Sequence, residues 1–284
     1  MAKIIRTQRA KTARVRPLPK KSAKPPKATK PARVANPAPS PPLPKAIKSK
    51  VATSEAARSK TAKPKTAKSK TPAPWTPAEV REAFSRFAKA NPEPKGELEH
   101  LNPFTLLVAV VLSAQATDAG VNRATRALFE VADTPQKMIE LGEDKLRDYI
   151  KTIGLYRTKA RNVIALSEKL IREFGGEVPR TRAEIESLPG AGRKTANVVL
   201  NMAYGERTLA VDTHVFRVGN RTGLAPGRTP LEVELGLEKV IPAEFMLHAH
   251  HWLILHGRYT CLARKPRCDV CLINDLCRWP EKPI

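Results

Sequence analysis

Cysteine is missing from the first 260 residues of this 284-residue chain, and glycine, phenylalanine, tryptophan and tyrosine are missing from the first 74. With cysteine so confined, a framework of disulfides is excluded as the general source of stability. A stretch without a single aromatic ring cannot bury enough apolar surface to offset the entropy of ordering, so residues 1–74 are expected to be disordered. Long hydrophobic runs are lacking too. The longest, Leu106 to Leu112, falls far short of the ~20 residues of a membrane-spanning helix and reads as a buried core helix. Neither a signal peptide nor a membrane partner is expected. Strict alternation of polar and apolar residues, the mark of half-buried strands, is also absent, which argues against a sheet-based fold.

Acidic residues are almost absent from the same 74 positions. They hold 15 Lys and 6 Arg against one acid, Glu55, a charge of +20. Residues 75–284 hold 30 basic and 26 acidic residues, only +4, so the extension alone makes the chain strongly basic. It also contains 13 of the 26 prolines and repeated Thr-Ala-Lys units. Such an arm is expected to hold polyanions through counterion release, without base specificity; the alternatives are a solubilising tail or a transit peptide. A basic transit peptide would need an amphipathic helix, which that many prolines oppose.

The folded part is expected to begin at Thr76-Pro77-Ala-Glu79, a capping box with proline at the first helical position, followed by Val80, Phe84, Phe87 and Ala88 at helical spacing. From there nearly every segment has a period near 3.6, separated by short breakers such as Asn91-Pro92, Asn102-Pro103, Thr134-Pro135 and Gly175-Gly176. The fold class is all-α, with roughly ten short helices.

Leu188-Pro-Gly-Ala-Gly-Arg-Lys194-Thr-Ala carries the most chemistry. Gly190 and Gly192 tolerate positive φ and suit a tight turn, and apolar periodicity resumes behind them, so the turn opens a helix. Unpaired amides and the positive end of the dipole there suit a phosphate. Lys194 then lies in the first helical turn, where an ammonium is disfavoured, and a lysine with a lowered pKa is a nucleophile. Eighteen residues later stands Asp212 in Val-Asp-Thr-His, placed to cap a following helix. An earlier segment, Ile153-Gly154-Leu155-Tyr156-Arg-Thr-Lys159-Ala160, partly echoes the glycine turn.

All four cysteines, Cys261, Cys268, Cys271 and Cys277, lie in the last 24 residues with spacing C-x6-C-x2-C-x5-C. Four thiolates so close point to one metal centre, and both structural zinc and an iron–sulfur cluster accept such a set. Arg264, Lys265 and Arg267 lie in the loop between the first two; ligation at both ends would hold them as a rigid cationic projection toward phosphate. His214, His250 and His251 read as satisfied core groups, since no second ligand set accompanies them.

Together these motifs, with Leu112-Ser-Ala-Gln115-Ala-Thr-Asp118, Ile153-Gly-Leu155-Tyr and His251-Trp-Leu-Ile-Leu-His-Gly-Arg-Tyr-Thr-Cys261, resemble the endonuclease III family. These are bifunctional DNA glycosylases of the helix-hairpin-helix superfamily, and the resemblance covers about residues 76 to 280. It implies a six-helix barrel with helix-hairpin-helix at 96–206, and a discontinuous helical cluster domain at 75–95 and 207–284. It implies a 4Fe–4S cluster on the four cysteines, Lys194 as nucleophile and Asp212 as its partner. Gln115 would fill the space vacated by an extruded base, and Leu155 would wedge into the opposite strand. The hairpin around Gly190, Gly192 and Arg193 would grip the backbone. The expected partner is double-stranded DNA carrying damaged bases or abasic sites. The expected setting is a cytoplasmic, nucleoid-associated monomer.

Two rivals remain in view. A monofunctional adenine glycosylase of the same superfamily would lack the hairpin lysine and carry a further C-terminal domain, whereas Lys194 is present and the sequence ends seven residues after Cys277. A non-catalytic DNA-binding module would have no use for a carboxylate opposite its phosphate grip.

Overall fold

Local side-chain chemistry sets most helix starts in the computed structural model, which describes residues 73–283. The expectations for the basic extension fall on residues outside the described ones, its last two positions excepted. α1 (Pro77–Ala90) opens with the expected capping box: the Glu79 amide donates to Thr76 Oγ1, and the Thr76 amide donates to the Glu79 carboxylate at 2.7 Å. Asn102 and Thr105 build the same device for α2 (Pro103–Leu112). Threonines cap α3 (Asp118–Val131) and α4 (Pro135–Leu141). α5 (Glu143–Ile150) and α6 (Tyr156–Phe174) start without a side-chain cap. Thr181 caps α7 (Arg182–Glu186), whereas α8 (Arg193–Tyr204) again has none. Asp212 caps α9 (Thr213–Thr222), Thr229 caps α10 (Pro230–Val240), and α11 (Met246–Tyr259) is uncapped. The described residues form eleven α-helices and a 3-10 turn at Cys268–Val270, with no strand, so the class is all-α. Of the four uncapped starts, α6 and α8 follow the two turns that echo each other in sequence.

The helices bury two cores. α2 is the axis of the first: Phe104 to Leu112 are all buried, against Leu128, Met138, Leu146, Ile150, Leu166, Leu170 and Leu188. Each such side chain contributes about 1.5–3 kcal/mol by leaving water. The second core joins the start of the described chain to its end. Phe84 on α1 stacks on Phe245 (5.9 Å) and meets Trp252 on α11 (6.2 Å), with Val215, Val218, Val233 and Leu237 around them. Arg86 on α1 reaches Asp275 through both terminal nitrogens (2.7 and 3.1 Å) and so ties the first helix to the cysteine-bearing segment.

Buried polar groups fix how the chain passes from one core to the other. Asn197 on α8 is wholly buried; its Nδ2 donates to the Leu209 carbonyl (2.9 Å), its Oδ1 accepts from Arg182 (2.8 Å), and its carbonyl accepts from Thr208 Oγ1 (2.7 Å). This pins residues 208–211 along α8 and decides where Asp212 emerges. Arg193, at the first position of α8, crosses to α10, donating from Nε (3.0 Å) and Nη2 (2.8 Å) to the buried Glu234 carboxylate.

Candidate active site

The turn before α8 uses its two glycines differently. Gly190 has φ +80°, and a Cβ there would stand 2.9 Å from Asn162 Nδ2 on α6, so the turn needs glycine for conformation and for close packing. The expectation of positive φ at Gly192 is corrected: its φ is −123°, the extended conformation of a helix N-cap, open to any residue. A Cβ at Gly192 would meet nothing within 4 Å, so neither conformation nor packing among the described residues requires glycine there. The amides of Arg193, Lys194 and Thr195 have no acceptor among the described residues, which leaves a donor-lined, positive helix end facing out.

Lys194, second in that helix, opens into a cavity of about 830 Å³, within the ~300–1,000 Å³ of small-molecule sites. The cavity lies between the two cores. Ser113 to Asp118 form one wall; Val211 to His214, Phe216 and Pro230 form another, and Arg258 closes it. The Lys194 side chain is accessible from this space yet ringed by protein, and desolvation holds its pKa below the usual lysine value. The Asp212 and Asp118 carboxylates act the other way, and Arg258 adds to the lowering. Asp212 is half-buried, and its Oδ1 accepts the amides of His214 and Val215 at 2.8 Å each, so the cap expected from sequence also aims the carboxylate.

The structure therefore brings Gln115, Lys194 and Asp212 to one cavity. Leu155, Gly190, Gly192, Arg193, Arg264, Lys265 and Arg267 stand outside it. Leu155 is nonetheless next door, since a Cβ on Gly154 would lie 3.9 Å from the Gln115 carbonyl. Among the described residues, the non-glycine residues with positive φ are Gln115 (55°), Leu155 (58°) and Lys265 (49°). Each costs about 1–2 kcal/mol of backbone strain. All three are exposed.

Sequence reasoning missed several residues of the site. Asp118 lines the cavity from the first turn of α3, where an acid reads merely as a complement to the helix dipole. Arg258 reads as an ordinary helix-surface cation. A smaller chamber of about 50 Å³, room for a few waters, lies behind Lys194 and is lined by Ser113, Asp118, His250, His251 and Arg258. The expectation that His250 and His251 are satisfied is corrected: both rings are buried, and Nδ1 of each lacks a partner among the described residues. Burial holds both neutral, pushing His250 down to about 3 and His251 to about 4.

The four cysteines gather at the end of the second core with no disulfide among them; burial above all, with charge on neighbouring cysteines adding to it, raises the pKa values of Cys268, Cys271 and Cys277. Several donors nonetheless face the sulfurs. Arg221 Nη1 lies 3.6 Å from Cys261 Sγ, His256 Nε2 lies 3.8 Å from Cys271 Sγ, and the backbone amides of Ile273 and Trp279 act on Cys271 and Cys277 as donors. Arg221 also holds the loop beyond Cys261 by its Leu262 (2.6 Å) and Ala263 (3.2 Å) carbonyls. That loop carries Arg264, Lys265 and Arg267, all exposed, on a pinned backbone. A cluster that shares its charge over four thiolates fits this donor set.

Residues 108–243 match the family model of the HhH-GPD superfamily base excision DNA repair protein, and residues 261–277 match the iron-sulfur binding domain of endonuclease III. The chain is 60% identical to endonuclease III of Treponema pallidum (strain Nichols) over 198 residues, 70% of this chain and 94% of that protein. It is 58% identical to endonuclease III of Escherichia coli (strain K12) over 201 residues, 71% of this chain and 95% of that one. Its fold matches a trapped endonuclease III–DNA covalent intermediate with a TM-score of 0.68 and 48% identity, covering 72% of this chain and 96% of that one.

Proposed function

The chain belongs to the endonuclease III family of base-excision DNA repair enzymes, DNA glycosylases and abasic-site lyases that carry an iron–sulfur cluster, and from that membership we propose that Lys194 is its nucleophile and Asp212 the group that takes the amine's proton. The observation that carries this reading is the shared cavity, in which a desolvated amine and a rigidly capped carboxylate meet beside an uncapped helix N-terminus.

The substrate is a damaged, oxidised pyrimidine in duplex DNA. A base inside the duplex is out of reach, so the nucleotide swings into the cavity between the cores. Gln115 occupies the space it leaves, and Leu155 holds the opposite strand apart. The amides of Gly190, Gly192, Arg193 and Lys194 take a backbone phosphate, which positions the strand without reading sequence, while the Ala191 amide stays on the Leu188 carbonyl. Arg264, Lys265 and Arg267 add phosphate contacts from the cysteine-bearing loop. Neutral Lys194 attacks C1′ of the sugar; the glycosidic bond breaks, and the base departs with its electron pair and a proton. The sugar ring then opens, C1′–O4′ breaking as O4′ takes a proton, and the resulting iminium acidifies the C2′ hydrogen. Its loss expels the 3′ phosphate and nicks the strand, and water then frees the lysine.

Cys261, Cys268, Cys271 and Cys277 hold the 4Fe–4S cluster through their thiolates. Bound there, it supplies cross-linking of the C-terminal segment and a redox-capable centre. On the same reading the enzyme is a monomer of the cytoplasm, at the nucleoid, and residues 1–74, with their charge of +20, add sequence-independent DNA contacts.

Borohydride reduction in the presence of abasic-site duplex tests the central assignment. The native protein is expected to form a covalent complex, and Lys194→Ala to lose it. A complex that persists in the variant overturns the role of Lys194.

A further inference from the structure

Arg258 and Asp118 both line the outer cavity and the chamber behind Lys194, so they stand where the two spaces meet. Nη1 of Arg258 is held by two carboxylates, Asp118 Oδ2 at 2.5 Å and Glu97, to which the Tyr259 hydroxyl also donates. The arginine is thereby fixed at one corner, with its side chain 22% exposed. Its Nε and Nη2 have no partner among the described residues. Nor are they sealed: the sealed, unpartnered side-chain nitrogens belong to Arg147, Lys159, His250 and His251. Asp118 likewise uses Oδ2 and has no partner recorded on Oδ1 among the described residues.

Two paired residues of the cavity wall thus keep donors and an acceptor oxygen uncommitted next to each other. Their complement is a group with an N–H next to a carbonyl. A phosphate does not fit, because the carboxylates of Glu97 and Asp118 would repel it. The remaining lining offers the apolar faces of Val211, Phe216 and Pro230, which suit a flat or slightly puckered ring.

We propose that Arg258 and Asp118 read the extruded base itself: Arg258 donates to a ring carbonyl oxygen, and Asp118 Oδ1 accepts the adjacent ring N–H. This rests on the base-extrusion reading above. Oxidation or reduction of a pyrimidine changes its C5–C6 side and leaves the N3–H and its neighbouring carbonyls intact. One reader therefore serves many ring-saturated pyrimidines. Cytosine-derived lesions offer the same order of groups through their exocyclic amine and N3.

The full-length protein, a duplex with dihydrouracil, the same duplex with N3-methyl-dihydrouracil, and an abasic duplex provide the test. Base release and nicking are followed under single turnover. Methylation at N3 is expected to slow base release by the native protein roughly 10- to 100-fold, the discrimination of a good paired contact. Arg258→Lys keeps a cation against Glu97 and Asp118 but lacks the fork, so the fold is retained. It is expected to slow base release by a similar factor, at least roughly tenfold more than it slows abasic nicking. Release of the methylated base as fast as its parent overturns the proposal. So does equal slowing of both reactions by Arg258→Lys, since Arg258 would then act only on the nucleophile. Failure of the native protein to nick the abasic duplex would instead sink the Lys194 reading, so the two failures are distinct.

Discussion

Asp212 holds the first turn of α9 with Oδ1 alone and leaves Oδ2 without a partner among the described residues, in the cavity it shares with Lys194. The cap fixes the direction of the carboxylate, and the neighbouring lysine gives that direction a use. Desolvation favours the neutral amine, whereas the carboxylate favours the ammonium.

That opposition sets a pH dependence. The reactive form of Lys194 is the amine, so borohydride trapping should speed up as pH rises and level off below about 10.5, because burial lowers the folded-state pKa. Asp212→Asn removes an influence that raises this pKa, so the rise should move to lower pH. Its plateau should fall by about 10²–10⁴-fold through loss of the proton acceptor. A rise that stays at the native pH in Asp212→Asn would show that the two groups are not coupled.

Leu155 presents an exposed aliphatic side chain from a left-handed backbone. Glycine tolerates φ +58° and alanine does not, so Leu155→Gly should be more stable than Leu155→Ala by about 1 kcal/mol in denaturant unfolding. Both variants lack the wedge and should release base equally slowly. If the alanine variant matches native base release, Leu155 is no wedge.

Arg193 is committed to Glu234, whose side chain is 4% exposed. Arg193→Ala strands that carboxylate and should cost about 2–3 kcal/mol, less than a fully buried broken pair because the arginine itself is partly exposed. Arg193→Met with Glu234→Leu should recover most of the loss in thermal unfolding. Equal destabilisation by the single and double variants would mean that the helix contact, not the charge pair, is what matters.

His250 and His251 make the fold sensitive to acid. Their folded-state values of about 3 and about 4 lie below the ordinary 6.5, so between these limits the unfolded chain binds more protons. Stability is therefore fullest above about pH 6.5 and falls as pH drops toward 4. Each histidine adds to that loss, together on the order of 1–2 kcal/mol per pH unit in the window. His250→Gln should flatten the dependence of the melting temperature on pH; an unchanged slope would place the acid sensitivity elsewhere.

Much of the molecule was legible in the sequence because its signals are local. The helical period, the capping boxes at Thr76 and Asn102, the buried run Leu106 to Leu112 and the four-cysteine spacing each depend on residues a few positions apart. So does the helix that starts at the glycine turn, and with it the place of Lys194 at a positive helix end. Tertiary structure alone decided that Gly190 is the strained glycine and Gly192 the open one, because Asn162 on another helix presses on the first. It alone decided that Arg193 turns toward Glu234, and that Asp118 and Arg258, 140 positions apart, meet beside Lys194. A pattern of nearest neighbours states which face of a helix is apolar. It carries nothing about which charged groups two separately built cores bring together across the cavity between them.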